Sequence, residues 1–276
     1  MNAVLTTLQP PVRAGLGDTG AQVDPVRRLL EPLVAMAESS DYLARQCVGT
    51  FTSGIRHHSL ERFVFMGPRG GGDTIRLGIF AALRGDEPEG AEAAVEFLRQ
   101  LEAQPELATG YHLFVYPICN PTGYEIGVPH SAGGRDLTAE FWRASNEPEI
   151  VFLERDLETA QFQGVIALRS ARRVSGLRAL TPSAILDQSL LDPARRAAEP
   201  FLPAGLDLSV EKLPSLGAAC FRGVLSKSYE LDPTPFEILL ETPAFAPRAA
   251  QVCANVAALE SILDSYRLLQ GLQPNL

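Results

Sequence analysis

Apolar residues recur along this chain with two different periods. Between Val23 and Met36 they fall three and four apart, the spacing of one helix face, with Asp24 placed to cap the first turn and Pro25 suited to it. Short runs at Gln46–Thr52 and Arg62–Met66 read as strands, and the continuously apolar Ile75–Ala82 as a buried one. Ala91–Leu101 returns to the helical period, Tyr111–Ile118 reads as strand, Glu147–Thr159 as helix and Gly164–Ser170 as strand again. A further strand is expected over Phe236–Glu241 and a closing helix over Arg248–Leu269. Strands alternating with helices indicate an α/β layered fold. Residues 181–235 carry no sustained period. The glycine-rich connection Gly67–Asp73 reads as a turn, because no Gly-Lys-Ser/Thr follows it and no helix opens directly after it.

Composition narrows the picture only in places. A chain of 276 residues is long enough to bury a large core, hiding about three quarters of its unfolded surface. One domain over residues 21–276 is expected, preceded by an irregular, flexible stretch over 1–20. The formal charge of -9 argues against nonspecific nucleic-acid binding. No apolar run reaches the roughly 20 residues of a membrane span. The start of the chain lacks a basic region followed by an apolar stretch, so no secretory leader is expected. Cys47, Cys119, Cys220 and Cys253 are scattered without a CxxC pair, which fits reduced thiols in a cytoplasm.

The candidate chemistry lies where strands meet loops. Arg84-Gly85-Asp86-Glu87-Pro88-Glu89-Gly90 follows the buried strand and opens a helix, and Asn120-Pro121-Thr122-Gly123 closes the next strand. Further blocks are Gly134-Arg135-Asp136-Leu137-Thr138-Ala139, then Glu147-Pro148-Glu149, Val165 to Ser170, and Phe236 to Pro243. Taken in this order, the six blocks resemble the zinc carboxypeptidase superfamily, in style nearest the succinylglutamate desuccinylases and aspartoacylases. The resemblance spans roughly Gly49 to Leu269 and implies a mixed central sheet flanked by helices. It also implies a zinc ion with three protein ligands and an open position, which brings the pKa of bound water from about 16 to about 7. Glu87 falls on a ligand glutamate and Glu241 on the catalytic glutamate. Arg84 and Arg169 fall where the family has its ligand histidines. Thr138-Ala139 replace an Asn-Arg pair that holds substrate carboxylate, and Pro129 replaces an upstream arginine. A guanidinium stays protonated and has no lone pair to give a metal.

With both histidine positions changed, the resemblance implies a catalytically degenerate relative, a pseudoenzyme that expects no cofactor and uses its cleft to bind a small anion or a protein partner. Two alternatives stand beside it: an active metallocarboxypeptidase or N-acyl amino acid deacylase with relocated zinc ligands, and a structural partner of an active paralogue. His57, His58, His112 and His130 are the only histidines. His130, in the loop bordering the family's site, is the best placed to join a substitute site with Glu87 or Asp136. Surface positions are the ordinary reading of all four. Arg84 and Arg169 are expected to pair with Glu87 and Glu241, since bidentate guanidinium–carboxylate contacts suit crowded acids in a cleft. Arg172 and Arg173 could add to an anion site, but an adjacent arginine pair is ordinarily a solvated loop. Phe141 and Trp142 read as core anchors.

Overall fold

The computed structural model describes residues 24–202, Leu225 and residues 234–272. The stretch 1–20 and Cys220 lie outside the described residues. Helix α1 (Pro25–Ala37) starts as expected, with the Asp24 carboxylate accepting from the Val26 amide at 2.9 Å. The hairpin β1 (Leu43–Ser53) and β2 (Arg56–Met66) turns at Gly54, whose φ of 60° is the left-handed value a tight hairpin loop demands. Then come β3 (Ile75–Phe80), α2 (Pro88–Ala103), β4 (Tyr111–Tyr116), the short α3 (Pro121–Ile126), α4 (Pro148–Thr159), β5 (Gly164–Ala171) and β6 (Arg178–Leu180). A single turn α5 (Ala184–Leu186) runs through a π-helical turn at Asp187–Leu191 into α6 (Asp192–Ala198). Strand β7 (Phe236–Pro243) and the long α7 (Arg248–Leu272) complete the described elements.

The seven strands form one mixed sheet in the order β1-β2-β4-β3-β5-β7-β6. The inner four, β4, β3, β5 and β7, are parallel, and the remaining pairs are antiparallel. Alternate residues of these strands feed two cores. Leu77, Ile79, Leu113, Val115, Ile166, Leu168, Ile238 and Leu240 pack with α1, α2, α6 and α7 on one face. Phe80, Phe114, Tyr116, Val165, Ala167 and Leu239 pack on the other, against Ile150, Leu153 and Leu157 of α4. This is the period-2 pattern of strands covered on both faces by helices. Tyr111 ties the sheet to α7 by donating its hydroxyl to the Leu263 carbonyl at 2.6 Å. Of the described residues, no helix is long and apolar enough to cross a membrane.

Strand order also marks where a site belongs. From β3 the chain crosses by α2 to β4 on one side, and β5 then lies on the other side of β3. Parallel α/β sheets open a crevice at such a reversal, beyond the carboxyl ends of the strands. The loop after β3 and the last residues of β5 and β7 meet there.

The edge strands carry small devices of their own. On β1 the register slips between Cys47 and Gly49, and the intervening Val48 carbonyl accepts from Arg155 of α4 at 2.6 Å. On β6 the Ala179 carbonyl accepts from Arg195 of α6 at 2.6 Å.

Several boundaries differ from the pattern-based expectation. Strand β2 begins six residues earlier than the apolar run at Arg62, because its first half pairs only with β1 and keeps an exposed, polar face. The stretch 184–198 within the irregular region is helical, and Pro193, near the start of α6, breaks the period that would have revealed it.

Candidate functional site

The loop after β3 leaves the sheet abruptly. Ala82 takes φ 45°, a conformation that costs a non-glycine residue energy and that clusters at functional sites. It is held there by a ladder between the strand ends: the amides of Cys119 and Asn120 donate to the carbonyls of Ala81 and Ala82, each at 3.0 Å. Three residues on, Gly85 lies against the start of α3. A β-carbon on it would stand 2.0 Å from the Gly123 carbonyl carbon and 2.2 Å from the Tyr124 nitrogen. Gly85 therefore lets the two backbones touch, while a β-carbon on Gly123 would stand 2.5 Å from the His130 carbonyl oxygen and 2.8 Å from that of Val128. Around Gly123, the Asn120 side chain accepts from its amide at 2.8 Å, and Thr122 donates to the buried Glu149 at 2.9 Å. Burial outweighs the Thr122 bond and raises the Glu149 pKa. Ser131 donates to Glu147 at 2.6 Å, pinning the loop beyond α3 to the start of α4.

On this frame sits a charged cluster. Glu87, the residue before α2, is only 5% exposed. The Arg169 Nε and Nη2 lie 3.4 Å from its two carboxylate oxygens, and the Arg84 Nε lies 3.2 Å from Oε1. Arg84 also donates to Asp86 at 3.2 and 3.0 Å. Burial pushes the Glu87 pKa up to about 7, against the pull of Arg169 and Arg84. For Arg84, burial opposes the charge, but the bond to Asp86 and the fields of Asp86, Glu87 and Asp136 win and raise its pKa. Desolvation thus dominates at the carboxyl and acidic neighbours dominate at the guanidinium.

Glu241 lies next along the sheet, in register with Arg169 on β5 and with Arg178 on β6. Its partner is Arg178, which contacts it through Nε and Nη2. The expected pairing therefore needs one correction. Arg84 and Arg169 both hold Glu87, and neither makes an ion pair with Glu241. Both arginines flank Glu241 in the same row, but Arg169 leans the other way, to Glu87 beside the β3 loop, which leaves Glu241 to Arg178.

The remaining expected residues are more peripheral. Asp136 caps the 3-10 turn at Leu137–Ala139, accepting from the Thr138 amide at 3.0 Å and its hydroxyl at 2.7 Å, so Thr138 faces Asp136. His130 is exposed in the loop beyond α3. Arg172 and Arg173 are exposed in the turn after β5, as a solvated pair should be. Phe141 is buried in the core beside α4, and Trp142 packs partly buried against it while donating its indole to the Leu225 carbonyl at 3.2 Å. Sequence reasoning missed Asp86 and Arg178. Asp86 was readable, two residues from Arg84 in the same motif. Arg178 carried no signal, sitting in a three-residue strand and meeting its partner 63 residues away.

Scanned against protein-family models the chain has no match, and none is found among curated proteins. Solved structures do match. A protein assigned as a metallopeptidase from Shewanella denitrificans shares 18% identity with a TM-score of 0.67, over 87% of this chain and 89% of that one. A metallo-carboxypeptidase from Burkholderia cenocepacia shares 13% identity with a TM-score of 0.65, over 88% and 70% of the two chains. A metallo-carboxypeptidase from Pseudomonas aeruginosa, in complex with (2-guanidinoethylmercapto)succinic acid, shares 16% identity with a TM-score of 0.62, over 88% and 69%. The fold of this chain is therefore metallocarboxypeptidase-like.

The zinc ion such a fold implies can be tested against the donors present. Zinc takes lone pairs from thiolate, imidazole or carboxylate. Arg84 and Arg169 offer only N–H, and the Glu87 oxygens already face guanidinium groups. Among the described residues no group of three or more His, Cys, Asp or Glu side chains could hold a metal ion. The residues of this cluster do not fit zinc.

Proposed function

We propose that this chain is a non-hydrolysing relative of the metallocarboxypeptidases and deacylases, using a cleft closed to zinc to bind an anionic ligand or a protein partner. The observation that carries the reading is Glu87, buried and held between Arg84 and Arg169. Two guanidiniums bring the same formal charge as one zinc ion but none of its Lewis acidity, and they leave Glu241 with Arg178 rather than with an activated water. Kinship with the succinylglutamate desuccinylase and aspartoacylase branch is part of this proposal and rests on the Arg84–Glu87 turn and the order of the six motif blocks. A cytoplasmic setting is proposed from the cysteines, since Cys47, Cys119 and Cys253 form no disulfide among the described residues.

The test is elemental analysis of untagged protein before and after zinc loading, with parallel assays on peptide and N-acyl amino acid substrates. The expected result is no tightly held zinc and no zinc-stimulated hydrolysis. About one tightly bound zinc per chain with hydrolysis would overturn the proposal and favour relocated ligands.

A further inference from the structure

Three guanidiniums lie beyond β3, at the end of β5 and at the start of the antiparallel β6, and all are held in the same manner. Arg84, Arg169 and Arg178 each engage their carboxylates through Nε and Nη2. Among the described residues none of the three spends Nη1 on such a bond. The anchored edge fixes each planar fork, and the opposite edge meets no carboxylate among the described residues. Such fixing matters because a loose arginine loses rotamer freedom when it captures a ligand, and an oriented one loses less. The three differ in how far they are open. Their side chains are 27%, 19% and 45% exposed, Arg178 being the most open.

We propose that Arg178, oriented by the nearly buried Glu241, is the anion-recognition residue of this cleft and takes one compact oxyanionic group, carboxylate or phosphoryl, on its opposite edge. The inference rests on the cleft being a ligand site, as proposed above, and adds the residue and chemistry of recognition. A planar guanidinium edge offers two parallel N–H donors, which match the paired oxygens of either group. The position is apt as well. Arg178, Glu241 and Arg169 form one row across β6, β7 and β5, at the end of the sheet where the crevice opens. Charge limits what fits. Arg84, Arg169 and Arg178 are balanced by Asp86, Glu241 and, above about pH 7, an ionised Glu87, so no net positive field then draws in a polyanion. Recognition must come from local donors, and a single oxyanionic group suits that.

The test follows arginine Nε–Hε resonances of labelled protein by NMR during titration with inorganic phosphate and, separately, with benzoate. The Arg178 signal should shift saturably with at least one probe, and which probe does so separates phosphoryl from carboxylate preference. Arg178→Met should weaken that binding by about tenfold while the exposed control Arg172→Met leaves it unchanged. Arg178→Lys, which keeps charge but not the planar edge, should fall between the two and guards against a folding defect in the methionine variant. No saturable shift with either probe, or binding unaffected by Arg178→Met, overturns the inference. Zinc content is read on the same sample, so that failure of the metal-free reading is recognised separately.

Discussion

Replacing Glu87 with glutamine should stabilise this protein at mildly alkaline pH. A buried carboxylate between two guanidiniums invites the opposite expectation, since breaking a buried ion pair often costs about 3–5 kcal/mol. The balance here runs the other way. Burial moves the Glu87 pKa from its ordinary 4.5 to about 7, despite Arg169 and Arg84. Between those values the folded state holds a proton that the unfolded chain has released. Stability from this group is therefore present at low pH and lost as pH rises from 4.5 through about 7. The loss amounts to roughly 3 kcal/mol, or about 6 °C in melting temperature for a chain of this size. Glutamine keeps the shape and an acceptor oxygen but never bears the charge, and Asp86 remains to serve Arg84. Other groups titrate in the same range. The raised Glu149 adds to the slope, while the lowered His58 and His112 oppose it near neutrality. The informative quantity is thus the difference between wild type and Glu87→Gln, followed by circular dichroism melts at pH 5 and pH 8. The variant should match wild type at pH 5 and exceed it at pH 8. A variant less stable than wild type at pH 8 would show that pairing, not desolvation, governs this site.

Other perturbations probe separate parts of the molecule. Arg84→His with Arg169→His should produce a site that holds about one zinc per chain, measured by titration with a chromogenic zinc indicator; a folded double variant without zinc affinity would show that these are not the ligand positions. Asn255, fully buried in α7 with neither polar atom bonded among the described residues, should give a protein more stable by about 1–3 kcal/mol when changed to leucine, read from urea midpoints. Gly85→Ala should cost about 3 kcal/mol or prevent folding, since the new methyl would overlap the Gly123 backbone, whereas Gly71→Ala, in open space, should melt with wild type.

The fold could be read from the chain wherever burial wrote a period. The inner strands, α1, α2, α4 and α7 all showed it, because each faces a core on a regular spacing. The readings that failed lack that imprint. The outer half of β2 pairs only with β1 and alternates weakly, and β6 has three residues. The helical stretch 184–198 is interrupted by Pro193. Around the site, contacts local in sequence were accessible: Arg84, Asp86 and Glu87 share a single turn. Arg169 could be brought to Glu87 only through motif order and the resemblance to a known fold. Arg178 could not be reached at all, because nothing in a short edge strand reveals which residue of β7 it faces.

The two outer strands have a consequence for how molecules of this protein meet. An unpaired strand edge is a template on which another chain can add a strand, and long flat edges promote aggregation. Here the outermost strands are β1 and β6 among the described residues, and each has a carbonyl taken by an arginine reaching from a neighbouring helix, Arg155 to Val48 and Arg195 to Ala179. The slip at Cys47 and Gly49 further disturbs the β1 edge. A second chain extending the full edge would have to evict a guanidinium at either end and, at β1, accommodate a bulge. Both ends of the sheet are in effect stoppered, so crowding alone gives these edges little means to zip molecules together.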